Sequence, residues 1–347
     1  MSLADRLQRA WRDDDALAQA LRPLAALHGA LIRLRVLLYR LGFKRAASLP
    51  VPVIVVGNWI VGGAGKTPTT LALLRRCAAL GLRAGVISRG YGRSDETLIR
   101  VVSGGDSATE VGDEPLLIQR RAGVPVAVGR DRVATARALL AAHPDLQVLI
   151  SDDGLQHWRL PRQLSVLVFD ERGLGNGRLL PAGPLRQNRP LAAAPGSSSE
   201  QLVLYNAPQA STALTGHLAQ RRLAGAVRLK DWWAGQPATL QALQALCSAR
   251  ARPLLAAAGM AAPQRFFAML REQGLVIDEL PLPDHYRFDT LPWPADTPTL
   301  LITEKDAVKL LPERLHGTEV WVVTLDFSPE QAFEQALDSH LARLLNR

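Results

Sequence analysis

The sequence has 347 residues, of which 48% are hydrophobic and 21% are charged, a composition typical of a globular chain and not of a disordered one. Its formal net charge of +9 favours anionic partners such as phosphates, nucleic acid or an anionic membrane surface, although a merely basic soluble protein is the alternative. No stretch reaches 18 uninterrupted apolar residues, so no transmembrane helix is predicted. The two cysteines, Cys77 and Cys247, lack metal-ligand spacing and fit free thiols in a reducing compartment.

The first 48 residues are predicted to be helical and to end before Pro50 and Pro52. One face of this segment carries leucines at intervals of three and four, and arginines and lysines are interleaved with it. The leucines are Leu24, Leu27, Leu31, Leu34, Leu38 and Leu41. Such a basic amphipathic helix can lie in the headgroup layer of a membrane, with its apolar face towards the lipid. A helix that packs on the core of the protein is the alternative.

A phosphate-binding loop is predicted between a short strand, Val53–Val56, and a helix that runs to about Leu80. Glycines let backbone N–H groups point at phosphate oxygens, and the helix N-terminus adds partial positive charge. Lys66 would reach the β- and γ-phosphates, and the Thr67 hydroxyl would hold Mg²⁺. The predicted nucleotide-binding residues are Ile60, Val61, Gly62, Gly63, Ala64, Gly65, Lys66 and Thr67. A glycine-rich turn without a ligand is the alternative, because the standard spacing would place a glycine where Ile60 stands.

Strands and helices alternate along the rest of the chain, which predicts an α/β fold with a parallel sheet flanked by helices. Strands are predicted at 84–88, 99–102, 124–128, 146–150 and 164–169, and helices at 112–121 and 131–142. Beyond a linker-like segment at 192–200, a second α/β unit is predicted, with a helix at 263–272. The sequence thus predicts an N-terminal helical segment at 1–48, a phosphate-loop kinase domain at 49–195 and a smaller C-terminal α/β lobe at 196–347.

Two adjacent carboxylates, Asp152 and Asp153, directly follow the predicted strand 146–150. Ligands of open α/β sheets bind at the carboxyl ends of the strands. A carboxylate at this place in a phosphate-loop protein holds Mg²⁺ directly or through water. Asp152 and Asp153 therefore join Thr67 as predicted metal residues, and aspartates that cap a local turn are the alternative.

Eight blocks of sequence stand out as motifs. They are Gly57–Pro68, Ser88–Arg93, Gly112–Pro115, Asp152–His157, Asn176–Arg186, Pro263–Phe267, Asp284–Phe288 and Thr303–Asp306. In content and order they resemble the motifs of the tetraacyldisaccharide 4′-kinases, the lipid A 4′-kinases, from about residue 35 to residue 310. Single blocks are weak signals, but eight in order are highly specific. In that family the missing glycine at the position of Ile60 is normal.

The resemblance implies phosphoryl transfer from ATP, with Mg²⁺, to the 4′-hydroxyl of a tetraacylated, 1-phosphorylated glucosamine disaccharide, the lipid A precursor. The product is lipid IVA, and the enzyme class is a phosphotransferase with an alcohol acceptor. The resemblance also implies a place at the cytoplasmic face of a bacterial inner membrane. The N-terminal helix is expected to contribute to binding at the anionic surface of that membrane. It further implies a phosphate-loop domain and a smaller α/β lobe with the site between them. Neither nucleic acid nor an obligate protein partner is expected.

The resemblance also implies the catalytic residues. The proposed base of the family corresponds to Asp113, assisted by the histidine that corresponds to His285, and Lys66 completes the predicted catalytic set. A carboxylate that accepts the proton of a sugar hydroxyl helps its attack, and a neighbouring histidine can orient it or share the proton. From the residues alone, a helix cap at Asp113 and a loop histidine at His285 remain alternatives. Family members usually carry Glu where this chain has Gln187, so a role that needs a carboxylate there is in doubt.

Two other functions use some of the same features. A GTPase-like switch or metal-insertion NTPase would share the phosphate loop without a lipid acceptor, but the chain has no Asn-Lys-x-Asp motif for guanine. Thr303–Asp306 comes nearest in position, with Glu304 in place of the asparagine, and it is either near the nucleotide or a plain turn. A nucleic-acid-binding protein would need aromatic residues among arginines on one face, and only 5% of the residues are aromatic.

Overall fold

The computed structural model describes residues 3–187, 200–248, 253–315 and 317–345, so the predicted linker at 192–200 lies outside the described residues except for Glu200. The strands are β1 Val53–Gly57, β2 Ala84–Ser88, β3 Arg100–Val101, β4 Val126–Val128, β5 Val148–Asp152, β6 Leu164–Phe169, β7 Gln201–Tyr205, β8 His217–Arg228, β9 Leu254–Gly259, β10 Ile277–Leu282, β11 Thr299–Thr303 and β12 Glu319–Pro329. The α-helices are α1 Leu3–Asp13, α2 Ala16–Ala20, α3 Arg22–Arg40, α4 Lys66–Ala79, α5 Ala108–Val111, α6 Asp113–Ala122, α7 Arg132–Ala142, α8 Leu229–Trp233, α9 Leu240–Ser248, α10 Pro263–Glu272, α11 Glu304–Ala307 and α12 Gln331–Leu345.

The chain forms two compact units, each assembled from separated segments. Unit 1 contains Met1–Ser88, Asp131–Gln220 and Pro329–Arg347. Unit 2 contains Arg89–Arg130 and Arg221–Ser328. The sequence predicts consecutive domains at 49–195 and 196–347, and that division of the chain stays a prediction. Local sequence signals do not show which distant segments pack together, because packing depends on the whole chain.

Unit 1 is built on a parallel sheet in the order β7-β6-β1-β5-β2. All five residues of β1, β2 and β5 are buried, as expected for strands covered by helices on both faces. Their apolar, β-branched side chains suit such positions. The C-terminal helix α12 belongs to the same unit and is tied to α4 by Arg76, whose Nε donates to Asp338 at 2.7 Å. The predicted α/β fold with a parallel sheet is confirmed.

Unit 2 contains a second parallel sheet, in the order β10-β9-β11-β12, and a short antiparallel pair of β3 with β4. Helix α10 begins at Pro263, where proline is preorganised for a first helical turn. It buries Phe266, Phe267 and Leu270 against the sheet. This core fixes the end of β10, after which the loop with the candidate catalytic histidine, His285, begins.

The N-terminal segment forms three helices rather than one, because the chain turns at Asp14–Asp15 and again at Leu21. The longest, α3, buries Ala25, Gly29 and Tyr39 within unit 1. Its leucines point the other way: Leu24, Leu27, Leu31 and Leu34 are 52–59% exposed. Helix α3 thus packs on unit 1 through Ala25, Gly29 and Tyr39, while these four leucines face away from the core. Within the described part of the chain, no helix is both long and apolar enough to cross a membrane.

Candidate active site

The phosphate loop of unit 1 connects the buried strand β1 to helix α4, which begins at Lys66. Gly65 caps the helix with φ 94° and ψ 28°, a left-handed backbone conformation that residues other than glycine adopt only at an energetic cost. The hydroxyl of Thr69 donates to the Gly65 carbonyl at 2.9 Å and fixes the first turn. The loop therefore ends at a helix N-terminus, whose free N–H groups and dipole favour an anion.

The first half of the predicted nucleotide-binding stretch is anchored to the protein. The side chain of Ile60 is buried, and its backbone forms a β-bridge with Leu185. The N–H of Val61 donates to the carbonyl of Pro184 at 2.9 Å. These two residues thus hold the start of the loop in place, while the glycines that follow form the part that can surround a phosphate.

Lys66 lies close to three groups that keep its side chain over the loop. Its Nζ donates to Asn58 Oδ1 at 3.3 Å and to the Gly62 carbonyl at 3.4 Å. It lies 3.7 Å from Asp153 Oδ2. These polar contacts therefore hold the Lys66 ammonium on one side of the loop. A charge that is positioned before the ligand binds is suited to contact phosphate oxygens.

The predicted metal residues contact different partners. Asp152 is buried at the end of β5, and its Oδ1 accepts a hydrogen bond from the Thr70 hydroxyl at 3.0 Å. Asp153 contacts Arg186 Nη1 at 2.9 Å through its other oxygen, Oδ1. Thr67 is the second residue of α4 and lies in its first turn. These oxygen donors suit Mg²⁺, and the assignment of Thr67, Asp152 and Asp153 to a metal stays a prediction.

The charge of Asp153 is set by its surroundings. Burial by itself would raise the pKa of this carboxyl, but the positive charges of Lys66 and Arg186 outweigh that effect and hold the pKa below its ordinary value. Asp153 is therefore ionised at neutral pH. An ionised carboxylate next to a lysine is able to orient that lysine or to hold a cation.

Gln187, which stands where the resemblance leads us to expect Glu, is buried. Its Oε1 accepts a hydrogen bond from Gln156 Nε2 at 3.3 Å, and the same Gln156 nitrogen donates to the Asn58 carbonyl at 3.2 Å. Among the described residues, the side-chain nitrogen of Gln187, Nε2, has no hydrogen-bond partner. In this chain the residue connects two loops of unit 1 and supplies no charge.

Unit 2 brings Asp113 and His285 together, although they are 172 residues apart in the sequence. Asp113 Oδ2 and His285 Nδ1 are 2.8 Å apart, and Asp113 Oδ1 accepts the N–H of Glu114 at 2.9 Å. Asp113 is the first residue of α6, where the helix dipole favours a negative charge. With Nδ1 donating to the carboxylate, the other ring nitrogen of His285, Nε2, lies 3.8 Å from Asp284 Oδ2.

Lys305 lies beside this pair. Its Nζ is 2.9 Å from Asp284, 3.5 Å from Glu114 and 4.0 Å from Asp113. Burial would lower the pKa of Lys305, but the three carboxylates outweigh it and the pKa lies above its ordinary value. Lys305 thus stays a cation and holds three acids of unit 2 in one cluster.

The pKa values of the pair move in opposite directions. Burial would raise the pKa of Asp113, but the hydrogen bond from His285 and the charge of Lys305 outweigh it, so the pKa is lowered from 3.8. The hydrogen bond to Asp113 raises the pKa of His285 above 6.5, against the opposing effect of burial. The stability from His285 is complete below 6.5 and is lost as the pH rises through its folded pKa. The stability from Asp113 is present above 3.8 and is lost as the pH falls through its folded pKa.

The Thr303–Asp306 block forms the start of the short helix α11. Asp306 is buried and contacts the Gly259 N–H at 3.0 Å and the Thr303 hydroxyl at 2.8 Å. Glu304 is buried and paired with Arg121. Both acids serve the interior of unit 2, and Lys305 is the member of the block that supports Asp113. A base-reading role for this block is not supported by these contacts.

Sequence patterns did not identify several residues that contact the phosphate loop of unit 1 or the Asp113–His285 pair of unit 2. Asn58 and Arg186, which contact Lys66 and Asp153, belong to motif blocks and could have been selected on that basis. Lys305 also lies in a block, but its contact with Asp113 depends on tertiary packing. Arg172 and Asn206, which contact the phosphate loop, lie outside all eight blocks.

A parallel sheet, a glycine-rich strand-to-helix loop with Lys-Thr at the helix start and carboxylates after the adjacent strand define the class of phosphate-loop nucleotide-binding proteins. The profile of the family described as LpxK, tetraacyldisaccharide-1-P 4′-kinase, matches residues 17–342. The chain therefore belongs to the tetraacyldisaccharide 4′-kinase family.

Individual relatives agree with this assignment. A tetraacyldisaccharide 4′-kinase of Leptothrix cholodnii is 55% identical over 96% of this chain and 95% of its own length. One of Methylibium petroleiphilum is 53% identical over 98% of this chain and 94% of its own length. A crystal structure of LpxK from Aquifex aeolicus in complex with ATP matches with a TM-score of 0.77 and 28% identity, over 95% of this chain and 99% of that one.

The contact of His285 with Asp113 makes a prediction about titration. Asp113→Asn removes the negative charge that favours the imidazolium, so the pKa of His285 should fall towards 6.5. The measurement is an NMR titration of the histidine ring nitrogens, with His285→Gln used to assign the signal.

Asp278→Asn is the matched control, because Asp278 is an exposed acid of the same unit. It should leave the pKa of His285 unchanged. An unchanged pKa in Asp113→Asn would show that the carboxylate does not act on the ring.

Proposed function

We propose that this chain transfers the γ-phosphoryl group of ATP to the 4′-hydroxyl of the tetraacyldisaccharide 1-phosphate precursor of lipid A. The single observation that carries the proposal beyond a generic nucleotide-binding protein is the 2.8 Å contact between Asp113 and His285. A phosphate loop alone supports nucleotide binding. A carboxylate–histidine pair supplies what transfer to an alcohol also needs, a group that accepts the proton of the hydroxyl.

The donor side of the reaction rests on unit 1. The N–H groups at the N-terminus of α4 and the Lys66 ammonium would neutralise the charge that grows on the transferred and leaving oxygens. Asp153 and Asn58 hold Lys66 in place for this task. The adenine nucleotide supplies the phosphoryl group, and Thr67 with Asp152 or Asp153 would hold the Mg²⁺ that balances its charge.

The acceptor side rests on unit 2. Asp113 is ionised, and His285 keeps it hydrogen-bonded through Nδ1 while Lys305 balances the charge of the surrounding acids. The pair accepts the proton of the 4′-hydroxyl as one unit as the hydroxyl oxygen attacks phosphorus. Asp113 becomes a neutral acid when it accepts this proton, and its hydrogen bond with His285 orients it for the transfer.

A GTPase-like or metal-insertion NTPase is not favoured as an alternative. Such a protein needs no proton-accepting pair for an alcohol, and a guanine-reading loop would need an acid that is free to face the base. The acid of the nearest candidate loop, Asp306, is buried and engaged with Gly259 and Thr303.

The exposed leucines of α3 support a place at the cytoplasmic face of the inner membrane. Large apolar side chains in a contiguous exposed stripe indicate an apolar partner, and Phe43, just beyond α3, is 77% exposed. Arg33, Arg35, Arg40, Lys44 and Arg45 are exposed along the same segment. Basic residues near an anionic surface contribute about 1 kcal/mol each. The membrane would also be the source of the acylated acceptor.

The activity is tested with purified protein, radiolabelled ATP and tetraacyldisaccharide 1-phosphate. The wild-type protein should form the 4′-phosphorylated product. Lys66→Ala and Thr67→Ala should each lower the rate by roughly 10²-fold or more, because they remove preorganised charge and metal placement.

Lys230→Ala is the control for Lys66→Ala, because Lys230 is an exposed lysine in unit 2. Near wild-type rates in a folded Lys66→Ala protein would refute the assignment of the phosphate loop to catalysis.

The Asp113–His285 pair should behave non-additively on mutation. Asp113→Ala and His285→Ala should each lower kcat strongly with little change in ATP affinity, because both act on one proton. The double variant should be scarcely worse than the poorer single variant, as measured by steady-state kinetics. Fully multiplicative losses would mean that the two residues act separately.

Membrane binding is tested by flotation with anionic and zwitterionic vesicles. Replacing Leu27, Leu31 and Leu34 with serine should weaken binding, because each removes exposed apolar surface from α3. The matched control replaces Leu98, Leu240 and Leu311, which are also at least 50% exposed but lie in unit 2. Equal binding by the two triple variants would contradict a specific role of α3.

A further inference from the structure

Arg172 contacts the phosphate loop from the segment that follows β6. Its Nη1 donates to the carbonyl of Val61 and its Nη2 to the carbonyl of Gly63, at 3.3 Å each. Its Nε lies 3.0 Å and its Nη2 2.9 Å from Asp170 Oδ2, and the Asp170 side chain is only 1% exposed. The buried carboxylate therefore orients the guanidinium so that its remaining N–H groups face the loop.

Gly62, between the two carbonyls, leaves room for this contact. Its φ is +94°, and a Cβ added there would lie 3.0 Å from Arg172 Nη1. The backbone conformation favours glycine at this position, and a larger residue would also require the end of the Arg172 side chain to shift. Gly62 therefore allows the contact with Arg172 on the protein side of the loop, in addition to the loop shape that would surround a phosphate.

A second side chain holds the loop from the neighbouring strand. Asn206 follows β7, is 3% exposed, and donates through Nδ2 to the carbonyl of Ala64 at 2.9 Å. In the described part of the chain its Oδ1 has no hydrogen-bond partner. A buried acceptor without a partner is unfavourable, which indicates that the amide is placed for its contact with the loop and not for the core.

Together with Asn58, whose Nδ2 donates to the Gly62 carbonyl at 3.2 Å, these residues engage four consecutive carbonyls, from Val61 to Ala64. A carbonyl oxygen carries partial negative charge and would repel a phosphate if its peptide turned round. Holding the carbonyls on the protein side keeps the N–H groups of the loop as the groups available to an anion.

We propose that Arg172 and Asn206 form a carbonyl clamp, a pair of positioning residues that fixes the phosphate loop in its phosphate-binding shape. The proposal rests on the nucleotide-donor half of the proposed function, but it does not depend on the lipid acceptor. The clamp acts on ATP through the loop: it lowers the cost of ordering the loop when the triphosphate binds. Arg172 works through two carbonyls and Asn206 through one.

The test measures the affinity of the full-length protein for ATP and for inorganic tripolyphosphate by calorimetry, without acceptor. Arg172→Ala and Asn206→Ala should each weaken both ligands about tenfold, the loss expected for a hydrogen bond that orders a charged site. Arg172→Lys should recover only part, because an ammonium cannot bridge two carbonyls and a carboxylate as a planar fork does. In kinase assays, the KM for ATP should rise while the KM for the acceptor stays unchanged.

Arg76→Ala is the matched control. Arg76 is also an arginine of unit 1 that pairs with an aspartate, Asp338, but it contacts no residue of the loop. Its loss should leave both affinities unchanged. Arg172→Gln provides a second variant of similar size if Arg172→Ala does not fold.

Unchanged affinities in the folded Arg172 and Asn206 variants, with only a lower melting temperature, would overturn the clamp and leave a structural role. Absence of tripolyphosphate and ATP binding in the wild-type protein would overturn it as well. A wild-type protein that binds both ligands but does not phosphorylate the lipid acceptor would contradict the proposed function while the clamp is still judged by the affinities.

Discussion

The structure of unit 1 depends on one constraint, that its parallel strands all end at the same edge of the sheet. β1, β5, β6 and β7 are neighbours in that sheet, and each is followed there by polar side chains. Asn58 follows β1, Asp152 and Asp153 end or follow β5, Asp170 follows β6 and Asn206 follows β7. Strands buried on both faces cannot carry such groups along their length, so the chemistry gathers where the backbone leaves the sheet.

That edge also explains why the phosphate loop is held from several directions. Its start is bonded to Pro184 and Leu185, its middle to Arg172 and its end to Asn206. A glycine-rich loop has high conformational entropy, and an anion site is useful only if its donors are ordered before the ligand arrives. The same glycines that permit the shape thus require contacts that maintain it.

In unit 2 the corresponding constraint is that the buried carboxylate of Asp113 must stay ionised. Asp113 gains the N-terminus of α6, the ring of His285 and the nearby ammonium of Lys305. Removing any one of these would leave a buried charge less well compensated, and the pKa of Asp113 would rise. The basic chain as a whole is also consistent with an anionic nucleotide and an anionic lipid, although net charge alone does not select between them.

The sequence by itself determined the α/β class, the bounds of β2, β6 and α10, and the phosphate loop with Lys66 and Thr67. These follow from short-range patterns: apolar runs of strand length, proline or glycine at helix ends, and a motif of fixed spacing. The identity of Asp113 and His285 came from matching blocks, since a helix-capping aspartate and a loop histidine have no local signal for their pairing. Their roles stay proposals.

Only the tertiary structure decided which distant residues meet. It assigned residues 89–130 to the same unit as 221–328, brought Lys305 to Asp113, and turned the leucines of α3 away from the core. It also placed Arg172 and Asn206 on the phosphate loop, for which the sequence has no periodicity or spacing. Such contacts depend on how whole strands and helices pack, and packing is decided by the free energy of the complete fold and not by the residues adjacent in the chain.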